Sequence, residues 1–275
     1  INLTPCYPSY SPQIKIAEPD AIIRNIDLLG DNFDIDFDRI EEQINPNTKV
    51  ILFNFPNNPT GKMLRKNDLD RLVEIVAKHN CYIISDEIYE KLNFSGIPPL
   101  SPASRPELEK RTITINGFSK AFSMTGWRIG YIVVPDKTVL KSVSRLQQHM
   151  NTNTATFVQK AALASFDLPQ NHLEKYNRRL ADNFSSLQDI VSRNQRFRLV
   201  PSEGGLFAFL NISQFGVSSD NFTAVLLEAE NVAATPGIQF GVNWDGHIRI
   251  SLAIGTAAFA DGVARLGAHA AKLKA

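Results

Sequence analysis

Apolar strand-like runs alternate with helical stretches between residues 49 and 134, and this alternation constrains the possible folds more than any other feature of the sequence. In chain order the segments read KVILFNF, KNDLDRLVEIVAKHN, CYIISDEIY, TITIN and GYIVV. The second segment repeats its apolar residues at spacings of three and four, which gives a helix one apolar face. Because strands that alternate with helices usually build a parallel sheet covered by those helices, we predict an α/β fold with a mainly parallel sheet flanked by helices.

Helical patterns dominate the region that follows. Asp136 is predicted to cap a helix, because an aspartate side chain accepts hydrogen bonds from backbone N–H groups of the first turn. The next predicted helix, over 155–166, is apolar on much of its circumference, so we expect it to be buried. A longer and more polar stretch, over 171–193, is predicted to be a helix that links two domains.

Short strands characterise the C-terminal part of the sequence. The segments FRLVP, GLFAFLNI and HIRISLA predict strands, and helices are predicted over 219–230 and 257–274. We therefore predict a large domain over 1–168 and a smaller α+β domain over 169–275 that includes the linking helix.

The charge balance of the chain favours small-molecule chemistry. Lysine and arginine number 29 and aspartate and glutamate 28, so the formal net charge is +1 and no basic field exists to attract nucleic acid or a membrane. Since 43% of the 275 residues are hydrophobic, the chain can bury a large core. We therefore expect a small-molecule partner, and neither a nucleic acid nor a membrane.

Cysteine and histidine are too scarce for a disulfide framework or a metal centre. The two cysteines, Cys6 and Cys81, suit a reducing cytoplasm, where we expect the protein to be located. The five histidines show no paired ligand spacing, so no metal site is predicted. No apolar stretch approaches the roughly 20 residues of a membrane span, and no leader is visible at the start of the sequence.

Three motifs place polar side chains after predicted strands. Asn58 lies in NNPTG, Asp86 begins DEIY, and Lys120 lies in SKAFSMTGWR. Open α/β sheets keep their ligand crevice at the carboxyl ends of the strands, so we expect these side chains to meet there. A carboxylate at the end of a buried strand also needs a cationic partner to offset its lost solvation.

Each of these residues has an ordinary structural explanation when it is taken singly. A lysine in a loop is commonly a solvated surface residue, and an aspartate after a strand can cap a helix. A tyrosine such as Tyr89 can simply pack beside the sheet, and Asn-Pro-Thr-Gly is a turn sequence in its own right. The order and spacing of the motifs favour the functional interpretation.

NNPTG, DEIY and SKAFSMTGWR, in this order, resemble the motifs of the class I/II (fold type I) pyridoxal-phosphate aminotransferases. The resemblance implies that Lys120 forms a Schiff base with pyridoxal 5'-phosphate and moves the substrate proton. It also implies that Asp86 keeps the pyridine nitrogen protonated, so that the ring can take up electrons from the substrate. Tyr89 and Asn58 would donate hydrogen bonds to the cofactor's 3-oxygen.

The same resemblance assigns the remaining site residues. Ser119 and Arg128 would bind the cofactor phosphate. Tyr7, in PCYPSY, would stack on the cofactor ring, although a turn at Pro-Cys-Tyr-Pro packed on the sheet edge explains it too. Arg249, in HIRISLA, would clamp the substrate α-carboxylate with its planar fork, with Asn58 contacting the substrate beside it, although an exposed strand arginine is the commoner situation.

The resemblance also carries expectations about the whole protein. It implies a homodimer with shared active sites, an amino acid and a 2-oxo acid as substrates, and a chain that lacks about the N-terminal third of a family member. Gln147, Gln148 and His149 stand where the dicarboxylate-specific branch has an arginine, so strict aspartate preference by that route is not expected. A β-lyase or synthase that uses the same cofactor, or a non-catalytic effector-binding domain, remains an alternative on the same fold.

Overall fold

A six-stranded sheet organises the N-terminal part of the chain, in a computed structural model that describes residues 1–169 and 171–273. Its strands are β1 (Asn2–Thr4), β2 (Asn25–Asp27), β3 (Val50–Asn54), β4 (Tyr82–Asp86), β5 (Thr112–Gly117) and β6 (Gly130–Val133). The strand order is β2-β1-β3-β4-β5-β6, and all neighbours are parallel except β6, which runs antiparallel to β5. The mainly parallel sheet predicted from the sequence is confirmed.

Helices flank this sheet and continue into the C-terminal part. In chain order they are α1 (Tyr10–Ala17), α2 (Phe37–Gln43), α3 (Lys66–Lys78), α4 (Pro106–Glu109), α5 (Lys137–Asn151), α6 (Thr156–Ala164), α7 (Asn171–Val191), α8 (Ser219–Glu230) and α9 (Thr256–Lys272). The predicted cap of α5 is confirmed, because the Asp136 carboxylate accepts hydrogen bonds from the N–H groups of Thr138 and Val139 at 2.7 and 3.1 Å. The helix expected over 257–274 matches α9, and Lys274 lies outside the described residues.

A four-stranded antiparallel sheet organises the C-terminal part. Its strands are β7 (Arg198–Leu199), β8 (Phe207–Asn211), β9 (Thr235–Pro236) and β10 (His247–Ser251), in the order β7-β8-β10-β9. Arg249 of β10 lies directly opposite Phe209 of β8, so both side chains share one face of the sheet. Ala208, Leu210 and Ile248 alternate onto the other face, where they are buried with residues of α7, α8 and α9.

Two large hydrophobic cores, within the described residues, stabilise these layers. The first contains residues of the large sheet, such as Phe53, together with Phe209, Phe240 and Trp244 from the C-terminal part. It therefore joins the two sheets. The second core lies between the small sheet and the C-terminal helices, and it includes Tyr89. The division into domains at 168/169 stays a prediction.

The prediction that the helix over 155–166 is buried is wrong. In α6 only Val158 and Ala162 are buried, whereas Phe157 and Leu163 have 71% and 67% of their surface exposed. No residue of α5 is buried either. Apolar character alone does not bury a helix, because burial depends on what packs against it. Among the helices that the structure describes, none is long and apolar enough to cross a membrane.

Candidate active site

The predicted site residues meet at the carboxyl edge of the large sheet. In the register of β3, β4 and β5, Asn54 pairs with Asp86, and Asp86 pairs with Ile115. Asn58 follows β3 by four residues, and Lys120 follows β5 by three. Because parallel strands end at the same edge, the three motifs found in the sequence converge there, as expected.

Two facing glycines mark the start of the loop that carries Lys120. Gly117 of β5 pairs with Gly130 of β6. A Cβ atom on Gly117 would lie 3.0 Å from the Gly130 Cα, and one on Gly130 would lie 2.8 Å from the carbonyl oxygen of Asn116. The backbones of the two strands therefore approach more closely than side chains would allow.

Hydrogen bonds within this loop, over 118–129, fix its backbone conformation. The Thr125 hydroxyl donates to the carbonyl oxygen of Ser119 at 3.0 Å, and an Arg128 N–H donates to the carbonyl oxygen of Thr125 at 2.9 Å. Arg128 has a φ of 52°, in the left-handed region that residues with a side chain rarely adopt. Thr125 thus links the two predicted phosphate ligands, Ser119 and the exposed Arg128.

The Lys120 amine lies beside other ionisable groups of the site. Its Nζ atom is 5.7 Å from the centroid of the Tyr89 ring. Burial lowers the pKa of Lys120, and the positive charges of Arg249 and Arg128 act in the same direction, while Tyr7 and Asp86 oppose them. The amine therefore loses its proton more readily than a lysine in water.

Asp86 is held by hydrogen bonds at the end of β4. Its carboxylate accepts one from the Tyr10 hydroxyl at 2.6 Å and one from the Ile88 N–H at 3.2 Å, and its carbonyl oxygen accepts one from the Asn54 amide at 3.0 Å. Burial raises the pKa of Asp86, whereas these two bonds to the carboxylate and the charge of Lys120 lower it. The carboxylate is therefore fixed in direction but short of positive charge.

Tyrosine rings line the space next to Lys120. Tyr89 lies in the turn that follows β4, with only 5% of its surface exposed, and burial raises its pKa, as does the charge of Asp86. Tyr7 is 42% exposed, and its ring meets the Tyr10 ring edge-on at 5.5 Å between centroids.

Arg249 projects from β10 toward the motif after β3. Its guanidinium donates to the Asn58 side-chain oxygen at 3.0 Å and to the Thr235 hydroxyl at 3.2 Å. The guanidinium carbon lies 4.0 Å from the Phe207 ring centroid and 5.0 Å from that of Phe240. Burial lowers its pKa. Within residues 1–169 and 171–273, no salt bridge joins Arg249 to a carboxylate.

Sequence reasoning missed two residues of this site. Tyr10 lies three positions after Tyr7 in PCYPSY, and this second aromatic was the available signal. Phe207 lies two positions before Phe209 in GLFAFLNI, so alternation places it on the Arg249 face.

Across the described part of the chain, no group of three or more histidine, cysteine or acidic side chains could hold a metal ion.

Comparison with known proteins identifies the family. Residues 2–265 match the family model described as aminotransferase class I and II. The chain belongs to this family. Among class I and II aminotransferases, the aspartate aminotransferase of Geobacillus stearothermophilus is 34% identical over 269 residues, which cover 96% of this chain and 67% of that relative. The aromatic-amino-acid aminotransferase 2 of Thermococcus litoralis is 33% identical over 257 residues, which cover 91% of this chain and 64% of that relative.

Solved structures of aminotransferases have the same fold. The aspartate aminotransferase of Rhizobium meliloti superposes with a TM-score of 0.92 at 27% identity, over 99% of this chain and 70% of that one. A pyridoxal-phosphate-bound putative aminotransferase from Clostridium difficile superposes with a TM-score of 0.88 at 26% identity, over 97% and 70% of the two chains. The expected fold class is confirmed. The chain spans about two-thirds of the length of the curated relatives that it matches.

Proposed function

We propose that this chain carries the active site of a pyridoxal-phosphate-dependent aminotransferase, which moves an amino group between an L-amino acid and a 2-oxo acid. The observation that carries the proposal is the grouping of Lys120, whose pKa is lowered, with Asp86, Tyr89 and Arg249, which forms no salt bridge with a described carboxylate. The names of the curated relatives, which are aspartate and aromatic aminotransferases, support it.

The side chains present fit each functional group of pyridoxal phosphate. Asp86 suits a protonated ring nitrogen, because burial leaves its carboxylate short of positive charge. Asn58 accepts from Arg249 with its oxygen, so its NH₂ group remains to donate to the cofactor's 3-oxygen beside the Tyr89 hydroxyl. When bound, the cofactor supplies a ring that takes up the electrons released at the substrate's α-carbon.

Ser119 and Arg128 supply the phosphate end of the same site. A serine hydroxyl and a guanidinium are both donors that suit a phosphate, and Thr125 holds the two residues in one loop. Tyr7 is exposed enough to present a ring face to the cofactor, and it influences the pKa of Lys120 through space. Six of the seven proposed cofactor ligands therefore lie on loops at one edge of the large sheet, and Asp86 ends β4 at the same edge.

Lys120 performs two tasks in the proposed mechanism. Its amine would hold the cofactor covalently, and the free amine would take up and return the proton of the substrate α-carbon. Both tasks need the uncharged amine. Burial, Arg249 and Arg128 lower the pKa of Lys120 and so make that form accessible.

Arg249 is the proposed receptor for the substrate α-carboxylate. A guanidinium pairs with both oxygens of a carboxylate, which fixes the plane of the substrate next to Lys120. Because no carboxylate of the described residues forms a salt bridge with Arg249, the substrate does not have to displace an internal partner.

The experiment uses the full-length polypeptide loaded with pyridoxal phosphate. We expect an amino acid to convert the cofactor to its amine form, and a 2-oxo acid to restore it, with visible absorption reporting both half-reactions. Lys120→Ala should abolish this absorption change and the borohydride-reducible adduct. Release of ammonia or sulfide without dependence on a 2-oxo acid would instead identify a lyase, and an adduct that persists in Lys120→Ala would show that another lysine holds the cofactor.

We also propose that the protein is a homodimer with shared active sites, as the family resemblance implies. Large apolar side chains exposed on β6, α5 and α6 support an interface at this surface, among them Ile132, Val133, Met150 and Phe157. Light scattering of the full-length protein should give twice the monomer mass, and Phe157→Glu should lower it. Val225→Glu, at an exposed position of α8, is the matched control. A monomer with full activity would contradict the proposal.

We place the protein in the cytoplasm. Two free and buried cysteines, Cys6 and Cys81, support this location, because thiols persist in a reducing compartment. Cell fractionation with an antibody to the protein tests it, and recovery from a secreted or membrane fraction would contradict it.

A further inference from the structure

The Arg249 guanidinium is partly buried and has no acidic counterion among residues 1–169 and 171–273. Burial lowers its pKa, and the charge of a buried arginine normally requires a carboxylate to compensate for lost hydration. Two aromatic rings occupy this place instead, because Phe207 and Phe240 lie 4.0 and 5.0 Å from the guanidinium carbon. The negative face of an aromatic ring attracts a cation and so offsets part of the cost of burial.

This arrangement leaves the hydrogen-bonding capacity of Arg249 largely unused. A guanidinium has five N–H donors. One goes to Asn58 and one to Thr235, and within the described residues the guanidinium donates no further hydrogen bond. A carboxylate partner, by contrast, would take two donors and neutralise the charge. The aromatic rings therefore hold the cation in place while leaving N–H donors for the carboxylate of a substrate.

Phe207 and Phe240 differ in what else they contact. Phe240 is 1% exposed and belongs to the first core, so its position is set by packing between the two sheets. Phe207 is only half-buried, and its ring meets the Tyr89 ring at 6.1 Å with an interplanar angle of 76°. Phe207 thus lies between the proposed carboxylate receptor, Arg249, and Tyr89, which contacts Lys120.

We propose that Phe207 is a positioning residue that holds the Arg249 guanidinium in the orientation needed to bind a carboxylate, and that ties this orientation to Tyr89. The inference rests on the proposed function, since it assumes that Arg249 receives the substrate carboxylate. It goes further by assigning the geometry of that receptor to an aromatic side chain that neither reacts nor donates a hydrogen bond.

The test measures carboxylate binding apart from turnover. Propionate, which has a carboxylate but no amino group, is titrated by calorimetry into the full-length holoenzyme. Phe207→Leu keeps an apolar side chain but removes the ring, so we expect propionate to bind about 3- to 10-fold more weakly. The Michaelis constants of all amino donors should rise by a similar factor, with kcat within about twofold of the wild type. Phe207→Tyr keeps the ring and should restore both values.

Phe222→Leu is the matched control. Phe222 is 2% exposed in the second core and packs against Phe215 and His269, away from Arg249. We expect this variant to lose thermal stability while binding propionate as the wild type does. If Phe222→Leu weakens propionate binding as much as Phe207→Leu does, the effect is general loosening and the proposal is overturned.

Arg249→Ala separates this inference from the proposed function. If Arg249→Ala binds propionate normally, Arg249 is not the carboxylate receptor, and the proposed substrate geometry fails together with the role of Phe207. If Arg249→Ala loses binding but Phe207→Leu retains it, the proposed function stands and the positioning role is overturned. Weaker binding in both, with rescue by Phe207→Tyr, supports the proposal.

Discussion

At Asp86, burial and hydrogen bonding act in opposite directions on one carboxyl group. Burial favours the neutral acid and raises the pKa, whereas the Tyr10 hydroxyl stabilises the ionised form from 2.6 Å. The Ile88 N–H adds to the second effect. The proposed pairing with a protonated ring nitrogen requires the ionised form, which the Tyr10 hydrogen bond favours.

Removing the hydrogen bond from Tyr10 should raise the pKa of Asp86. Tyr10→Phe deletes the donor that favours the carboxylate, so we expect the pKa of Asp86 to rise, and the carboxylate to be lost at a higher pH as the solution is acidified. The measurement is the carbon-13 chemical shift of the Asp86 carboxyl group as a function of pH. Tyr82→Phe is the control, because it removes a similar tyrosine–aspartate hydrogen bond, to Asp136. A midpoint that falls or stays constant in Tyr10→Phe contradicts the expectation.

The charge of Arg249 should also be detectable at Lys120. Positive charge on Arg249 lowers the pKa of Lys120, so Arg249→Leu should raise it and shift the reactivity of the amine to higher pH. The measurement is the rate of Lys120 modification by an amine reagent at several pH values, with the peptide identified by mass spectrometry. Arg265→Leu, which removes an exposed arginine of α9, should leave the profile unchanged. Equal profiles in wild type and Arg249→Leu would exclude electrostatic coupling between the two side chains.

Residues at strand ends were easier to predict than the residues that support them. Asp86 ends a predicted strand and Lys120 follows another by three residues, so the sequence places both at one sheet edge. Tyr10 is 76 positions from Asp86, and no local pattern records that their side chains meet. The contact between Phe207 and Arg249 likewise depends on how β8 and β10 pair.

At the level of elements, the connection between β9 and β10 leaves no space for a side chain at Gly237. A Cβ atom there would overlap the carbonyl oxygens of Trp244 and His247, which are backbone atoms and cannot move alone. Trp244 belongs to the first core, and His247 begins the strand that carries Arg249. The absence of a side chain at Gly237 therefore helps to set where β10 starts.

Gly237→Ala should destabilise the protein by at least about 2 kcal/mol, because the added methyl group forces backbone shifts in a packed region. Gly262→Ala is the matched control. Gly262 lies within α9 with no atom within 4 Å of an added Cβ, so this change should raise the free energy of unfolding by about 0.5–1 kcal/mol. Denaturant unfolding followed by circular dichroism measures both. A Gly237→Ala variant as stable as the wild type would mean that the backbone between β9 and β10 can shift at no cost in stability.

The predictability of elements follows their length and surroundings. The 13-residue α3 and the five-residue β3 and β4 are long enough for a period to be recognised. Strands β2 and β9 have three and two residues, too few for any period, and were not predicted. The type of α6 was predicted correctly but its burial was not, because burial is a property of neighbouring elements rather than of the helix sequence.

Across the whole molecule, Asp27 connects the two sheets. Its carboxylate accepts hydrogen bonds from the Asn243 amide at 2.6 Å and from the Trp244 indole N–H at 3.1 Å, and also from the Thr4 hydroxyl. Thr4 and Asp27 belong to neighbouring strands of the large sheet, while the other two residues precede β10. The Asp27 side chain thus helps to hold β10, which carries Arg249, against the carboxyl edge of the large sheet, where Lys120 lies.

Asp27→Ala should lower the free energy of unfolding by about 1–3 kcal/mol, because the buried indole N–H loses its acceptor. The Michaelis constant for amino donors should rise as well, since Arg249 lies on the element that is released. Asp20→Ala, at an exposed position, should change stability by less than about 0.5 kcal/mol. Thermal unfolding and steady-state kinetics on the same samples provide the comparison. Unchanged stability in Asp27→Ala would show that Asp27 does not help to join the two sheets.

The facing glycines of β5 and β6, Gly117 and Gly130, limit which substitutions this protein can tolerate. Since a Cβ on Gly117 meets the backbone of Gly130, and a Cβ on Gly130 meets the carbonyl oxygen of Asn116, neither position can change alone without moving a strand. Nor can a double replacement help, because each new side chain adds a clash instead of relieving the other. A mutational library that aims to alter donor preference should therefore keep both glycines fixed and vary the loops around them.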